Sequence, residues 1–170
     1  ELRHLSVYNT KLSLLDLRNN TKLTDVLCTN NSELTSILIG EKNSLNTLTC
    51  YYNKIESLNL SQCPALTELN CDNNNISFLD VSNCKALTKL NCANNNLTSL
   101  DLQSNQQLTE ISVSNNQYII GVDSNWQVDV SELQGFDPSR TSNWYCGHIN
   151  GNIIQVSTGY RKVTYEYDLG

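Results

Sequence analysis

Leucines at positions 2, 23, 45, 66, 87 and 108 open segments that repeat the same pattern at steps of 21 residues, one of them 22. Cysteines follow at 28, 50, 71 and 92, and asparagines at 31, 53, 74, 95 and 116, in the same places within each unit. A unit this short cannot bury its own apolar side, so a fixed period of this size requires units stacked into one continuous core. Two subpatterns recur inside it: LxxLxCxxN, as in Leu66, Leu69, Cys71 and Asn74, and then IxxLDV or LxxLDL, as in Ile76, Leu79, Asp80 and Val81. Each sends apolar residues inward.

Segments such as LTELNC alternate apolar and polar residues, as a short strand buried on one face does. Stacked coils then form a parallel sheet with neighbouring strands about 4.8 Å apart. Like side chains meet in apolar ladders, and burying each contributes roughly 1.5–3 kcal/mol. Asn31, Asn53, Asn74, Asn95 and Asn116 fall where the chain turns inward, and an amide there can donate to and accept from backbone groups that the turn leaves unpaired. The neighbouring asparagines, as in Asn73 to Asn75, suit a bend that needs left-handed backbone angles.

These motifs resemble the bacterial leucine-rich repeats of about 21 residues, over Leu2 to about Tyr118. The departures are local: Val7 and Thr10 replace the cysteine and asparagine of the first copy, one extra residue lies between Asn31 and Leu34, and the sixth copy dissolves after Tyr118. The resemblance implies a leucine-rich repeat solenoid of short parallel β-strands and turns with little helix. It also implies a non-catalytic scaffold for protein–protein interaction. GFDPSR and SNW, at 135–140 and 142–144, resemble the segment that follows such repeats in secreted or wall-attached proteins of Gram-positive bacteria. An extracellular or cell-surface location is therefore expected.

The domain division expected is an array over 1–118 and a capping region over 119–170. In the latter the period is lost and Trp126, Phe136, Pro138 and Trp144 appear. HINGNIIQV predicts a β-hairpin turning at Asn150 and Gly151, and KVTYEYDL a strand. Such a unit would cover the last coil's apolar cross-section. Methionine is absent even from position 1, so the 170 residues are expected to be part of a longer polypeptide.

Cys28, Cys50, Cys71 and Cys92 read as buried free thiols. No close CxxC pair favours a metal, and stacked Cβ atoms about 4.8 Å apart suit a disulfide poorly, since a bridge prefers about 3.8 Å. Cys63 and Cys84 read likewise, in the turn where Asn20 and Asn105 stand in other copies. Asp16, Asp80 and Asp101, with Asn59 in their column, form a straight row that cannot converge on calcium; bonds to turn amides are expected instead. Cys146 and His148 would leave the same face of a strand, but no orienting carboxylate or oxyanion donor accompanies them. Neither an enzyme, a cofactor nor a metal is expected.

Function falls to the outward positions of the strands. Candidate contact residues are His4, Tyr8, Asp25, Tyr51, Tyr52, Glu68, Asp72, Lys89 and Glu110; Asp25, Glu68 and Glu110 share a column, and Tyr8 and Tyr51 another, with Thr29 between them. Exposed tyrosines on a rigid sheet offer contact area at small entropic cost. A net charge of −6 and a pI near 4.8 exclude a phosphate-neutralising surface, hence nucleic acid. No apolar run reaches the roughly 20 residues that would insert in a bilayer. The partner expected is a protein; glycan adhesion and a passive spacer are the alternatives.

Overall fold

The computed structural model describes residues 1–116 continuously and, beyond them, five strands: Gln127–Asp129, Thr141–Tyr145, Gly147–Asn150, Ile153–Val156 and Thr164–Tyr167. The array is a parallel-strand solenoid of the leucine-rich repeat type, and its described residues contain no helix. Its principal sheet has six strands, β1 (His4–Tyr8), β3 (Asp25–Thr29), β5 (Thr47–Thr49), β6 (Glu68–Asn70), β7 (Lys89–Asn91) and β8 (Glu110–Ser112), in that spatial order. All pairings are parallel and unshifted: Val26 faces Leu48, which faces Leu69, then Leu90, then Ile111. The repeat length thus fixes the register, because equal coils bring equal positions side by side.

The second half of each unit builds a sparser row opposite. β2 (Leu14–Asp16) pairs in parallel with β4 (Ser36–Leu38), and single bridges continue the row from Ser36 to Ser57 and from Leu58 to Leu79. Between the rows lies one core, filled by Leu23, Leu45, Leu66 and Leu87, by Leu48, Leu69 and Leu90, by Ile55, Ile76 and Leu97, and by six cysteines. In the first described coil, Leu5, Val7 and Leu15 are only partly buried, because a neighbouring coil covers them on one side.

The left-handed residues form a column of their own: Asn9, Asn30, Tyr52, Asn73, Asn94 and Asn115, with φ between 51° and 57°. Asparagine is among the few L-residues that tolerate this region, whereas a bulky side chain there is an outlier. Tyr52 is the one departure from asparagine in the column.

Beyond the array, β11 (Gly147–Asn150) and β12 (Ile153–Val156) form an antiparallel hairpin, and β9 (Gln127–Asp129) joins β12. Asn150 pairs with Ile153, so it closes its strand rather than serving as a turn residue. The hairpin expected from the sequence therefore exists, with Asn150 inside its first strand. β10 (Thr141–Tyr145) pairs with β13 (Thr164–Tyr167). Tyr118, Trp126, Phe136, Pro138 and Cys146 lie outside the described residues.

Candidate binding face

The inward asparagines fix the turn from which the face is built. Asn74 Nδ2 donates to Cys50 O of the preceding coil at 2.9 Å and to Cys71 O of its own at 3.0 Å, while its Oδ1 accepts from the buried Ile55 N–H at 2.9 Å. Asn95 repeats this with Cys71 O, Cys92 O and Ile76 N, and Asn116 with Cys92 O, Val113 O and Leu97 N. The carbonyls of Cys50, Cys71 and Cys92 accordingly each receive amides from two successive coils. Asn53 donates to Cys28 O and Cys50 O, but its Oδ1 accepts from Asn31 N. Thr10 stands in the first coil's place and gives both its N–H and its hydroxyl to Asn31 Oδ1.

Cys28, Cys50, Cys71 and Cys92 are fully buried free thiols, as are Cys63 and Cys84. Burial pushes Cys28, Cys84 and Cys92 up to about 12 and Cys63 to about 11, and Cys50 and Cys71 well above the ordinary thiol range. None is a nucleophile at neutral pH. Among the described residues, no group of three or more His, Cys, Asp or Glu side chains could hold a metal ion.

The second turn hides a group that sequence reasoning missed. Lys42 is completely buried, and its Nζ donates to Leu17 O at 2.9 Å, Ile39 O at 2.6 Å and Glu41 O at 3.2 Å. Desolvation lowers its pKa. It stands 21 residues before Cys63 and serves as Asn105 does three coils later, where Nδ2 donates to Val81 O and Cys84 O. The counting signal existed, but a lysine in a polar loop reads as solvated. Asp16, Asn59, Asp80 and Asp101 each accept from the backbone N–H two residues on, at Arg18, Ser61, Ser82 and Gln103.

On the outer side of the principal sheet, register collects the candidates into columns. His4, Asp25, Thr47, Glu68, Lys89 and Glu110 lie side by side. The column mixes acids with a histidine and a lysine: His4 Nδ1 lies 2.7 Å from Asp25 Oδ2, and Lys89 Nζ lies 3.1 Å from Glu110 and 4.0 Å from Glu68. The carboxylate of Glu110 raises the pKa of Lys89. Thr24, Thr67, Thr88 and Thr109 use their hydroxyls on carbonyls of the preceding coil, which removes them from recognition.

Further along the strands, Ser6, Leu27, Thr49, Asn70, Asn91 and Ser112 form the next column. Between the two columns, β5 to β8 enclose a shallow groove of about 430 Å³. At the far end of the strands, Tyr8 faces Thr29, which is buried, and Tyr51 O accepts from Asn30 N in the adjoining coil. Tyr51 and Tyr52 form an edge-to-face pair, centroids 5.5 Å apart and planes at 83°. Tyr52 N donates to Asp72 O at 3.1 Å, a main-chain bond that sets the pair and Asp72 in adjoining coils. The structure thus places His4, Asp25, Glu68, Lys89 and Glu110 in one row and Tyr51, Tyr52 and Asp72 in a second group. Tyr8 lies two coils from the latter.

No protein-family model matches the chain, and no curated protein matches it. Among solved structures, the chain is similar to the functional domain of InlJ from Listeria monocytogenes, described as including a cysteine ladder, at 22% identity and a TM-score of 0.45. The similarity covers 73% of this chain and 37% of that one, so the chain spans well under half of the InlJ domain's length.

Proposed function

We propose that the chain is a non-catalytic binding scaffold of a secreted or surface-exposed bacterial protein, and that it engages a protein partner through the outer face of its six-stranded sheet. The observation that carries this is the separation of duties within each strand. Leu48, Leu69 and Leu90 are buried in the core, while Glu68 and Lys89 before them and Thr49, Asn70 and Asn91 after them line the outer groove. A surface that is rigid, laterally in register and free of core duty can vary in side chain without loss of fold. The similarity of the repeat motif to bacterial surface repeats supports the compartment, and the charge of −6 supports a partner with exposed basic groups.

The test is selection of binders from a displayed library of extracellular protein domains, followed by mapping. Asn70→Arg and Asn91→Arg are expected to weaken the selected complexes at least tenfold. Ser61→Arg and Gln103→Arg, on the opposite turn, are expected to leave them unchanged. Binders indifferent to the first pair and sensitive to the second would overturn the sheet-face reading.

A further inference from the structure

Resting on that reading, we infer that Tyr51, Tyr52 and Asp72 form an anchor subsite for a cationic side chain, arginine or lysine, presented by the protein partner. The three residues occupy adjoining coils and are linked by the bond from Tyr52 N to Asp72 O. The perpendicular rings of Tyr51 and Tyr52 make a corner in which one ring's edge meets the other's face, and Tyr52 remains 55% exposed. An exposed tyrosine face attracts a cation through its quadrupole. A carboxylate beside it supplies the directional, charge-assisted hydrogen bond that a guanidinium or ammonium completes.

Asp72 is set up for that second task. Its Oδ2 accepts from Asn73 Nδ2 at 2.7 Å and its Oδ1 from Asn94 Nδ2 at 2.9 Å; Asn94 Oδ1 in turn accepts from Asn115 Nδ2 at 2.8 Å. This row of amides polarises toward the carboxylate and fixes its orientation without neutralising it. The other carboxylates on the face are paired, Asp25 with His4 and Glu68 and Glu110 with Lys89. Among the described residues of this face, the Asp72 carboxylate has no His, Lys or Arg partner within ion-pair distance. Each of its oxygens receives one amide donor, and an anionic oxygen accepts more than one.

Tyr52 adds specificity to the placement. Its column is otherwise asparagine, and an asparagine there would extend the amide row to one more coil. Instead the row ends at Asp72, and the adjoining coil carries the aromatic pair. The chain's net charge of −6 draws a basic partner toward the face, and the corner receives one of its side chains.

The experiment uses the whole chain with tyrosine-ring isotope labels, titrated with the capped tripeptide Gly-Arg-Gly and, separately, with its citrulline counterpart, which keeps the shape and removes the charge. The arginine peptide is expected to shift Tyr51 and Tyr52 ring signals saturably, and the citrulline peptide to bind at least tenfold more weakly. Asp72→Asn is expected to weaken arginine binding about tenfold, and Tyr52→Asn, which keeps a residue suited to the left-handed turn, about two- to fivefold. Circular dichroism confirms that both variants fold. Equal binding of the two peptides would overturn the proposal. So would loss of binding in Tyr52→Asn with none in Asp72→Asn, the pattern of a neutral ring such as a sugar stacking on the tyrosine. If the arginine peptide fails while Asn70→Arg still abolishes the selected binders, only this subsite falls; if the peptide binds and the selected binders map elsewhere, the sheet-face reading falls and the subsite stands.

Discussion

Removing the Asn74 amide tests what holds one coil on the next. In Asn74→Ala, Ile55 N–H loses its acceptor at a fully buried site, while the carbonyls of Cys50 and Cys71 each keep one donor, from Asn53 and Asn95. The orphaned N–H costs about 1–3 kcal/mol, and the lost donations to two carbonyls that remain partly satisfied add about 1 kcal/mol. A destabilisation of about 2–4 kcal/mol is therefore expected, read from urea midpoints followed by circular dichroism. Hydrogen exchange provides a local check, because the Ile55 amide should lose protection before those of Leu69 and Leu90. Asn74→Asp sharpens the test: it keeps the acceptor for Ile55 and turns a carboxylate toward the oxygens of Cys50 and Cys71. That arrangement disfavours the charged form, so the new group's folded pKa lies above its unfolded value near 4. Stability from such a group is present below the unfolded pKa and lost as pH rises through the folded one. The variant should thus gain stability relative to the parent on acidification from pH 7 to pH 4. An Asn74→Ala cost below about 1 kcal/mol, or an Asn74→Asp deficit that ignores pH, would refute the view that the inward amides carry the turn.

The buried thiols predict alkaline lability. Cys28, Cys84 and Cys92 hold their protons to about 12, against about 9 when unfolded, so each thiol loses about 1.4 kcal/mol of stability by pH 10. Stability should fall steeply between pH 9 and 12; Lys42 acts with the opposite sign but is a single group, and a flat urea midpoint up to pH 11 would contradict the assignment. For the aromatic pair, Tyr51→Ala should cost about 0.5–1.5 kcal/mol through the lost ring contact, and in that background Tyr52→Asn should restore about 1 kcal/mol by relieving the left-handed strain. Thermal denaturation of the four proteins of the cycle measures both terms, and a further loss on the second substitution would show the strain to be absent. Gly40→Ala meets a φ of 70° and places its new Cβ 3.0 Å from Arg18 Cα, so a loss of at least about 1–2 kcal/mol is expected in the same assay.

The array was legible because its chemistry is periodic. The inward asparagines, the buried cysteines and the row Asp16, Asn59, Asp80 and Asp101 recur at one interval, and a single explanation of a position serves every coil. What escaped was whatever broke a residue type's usual habit while keeping the interval. Lys42 occupies a buried turn column although its charge argues for solvent. His4 and Lys89 fall in the column of Asp25, Glu68 and Glu110, and only the register of whole strands brings each beside an acid. Tyr52 was visible as an outward aromatic, but its left-handed backbone follows from its column neighbours, not from its own propensity. The hairpin beyond the array was visible as a turn signal; the pairing of Asn150 within its strand was not, because local turn chemistry constrains register less tightly than strand pairing does.

Two adjacent asparagine columns show how such a scaffold admits a binding site. In the inward column the side chain itself is the structural element, since removing it leaves a buried N–H without an acceptor; its occupants in the described coils after the first are all asparagine. In the column just before it only the backbone is constrained: φ must be positive, and the side chain points outward, where Asn94 and Asn115 bond to neighbours and Tyr52 to none of the amides. The cost of placing a large residue there is bounded at about 1–2 kcal/mol, independent of what the side chain contacts. A coil can therefore exchange a small amount of local strain for an aromatic surface in the coil adjoining an acidic one, without disturbing the ladder of cysteine carbonyls and amides beneath. That asymmetry places the anchor at the rim of the sheet, where the backbone sets the position of the ring and the core does not depend on its identity.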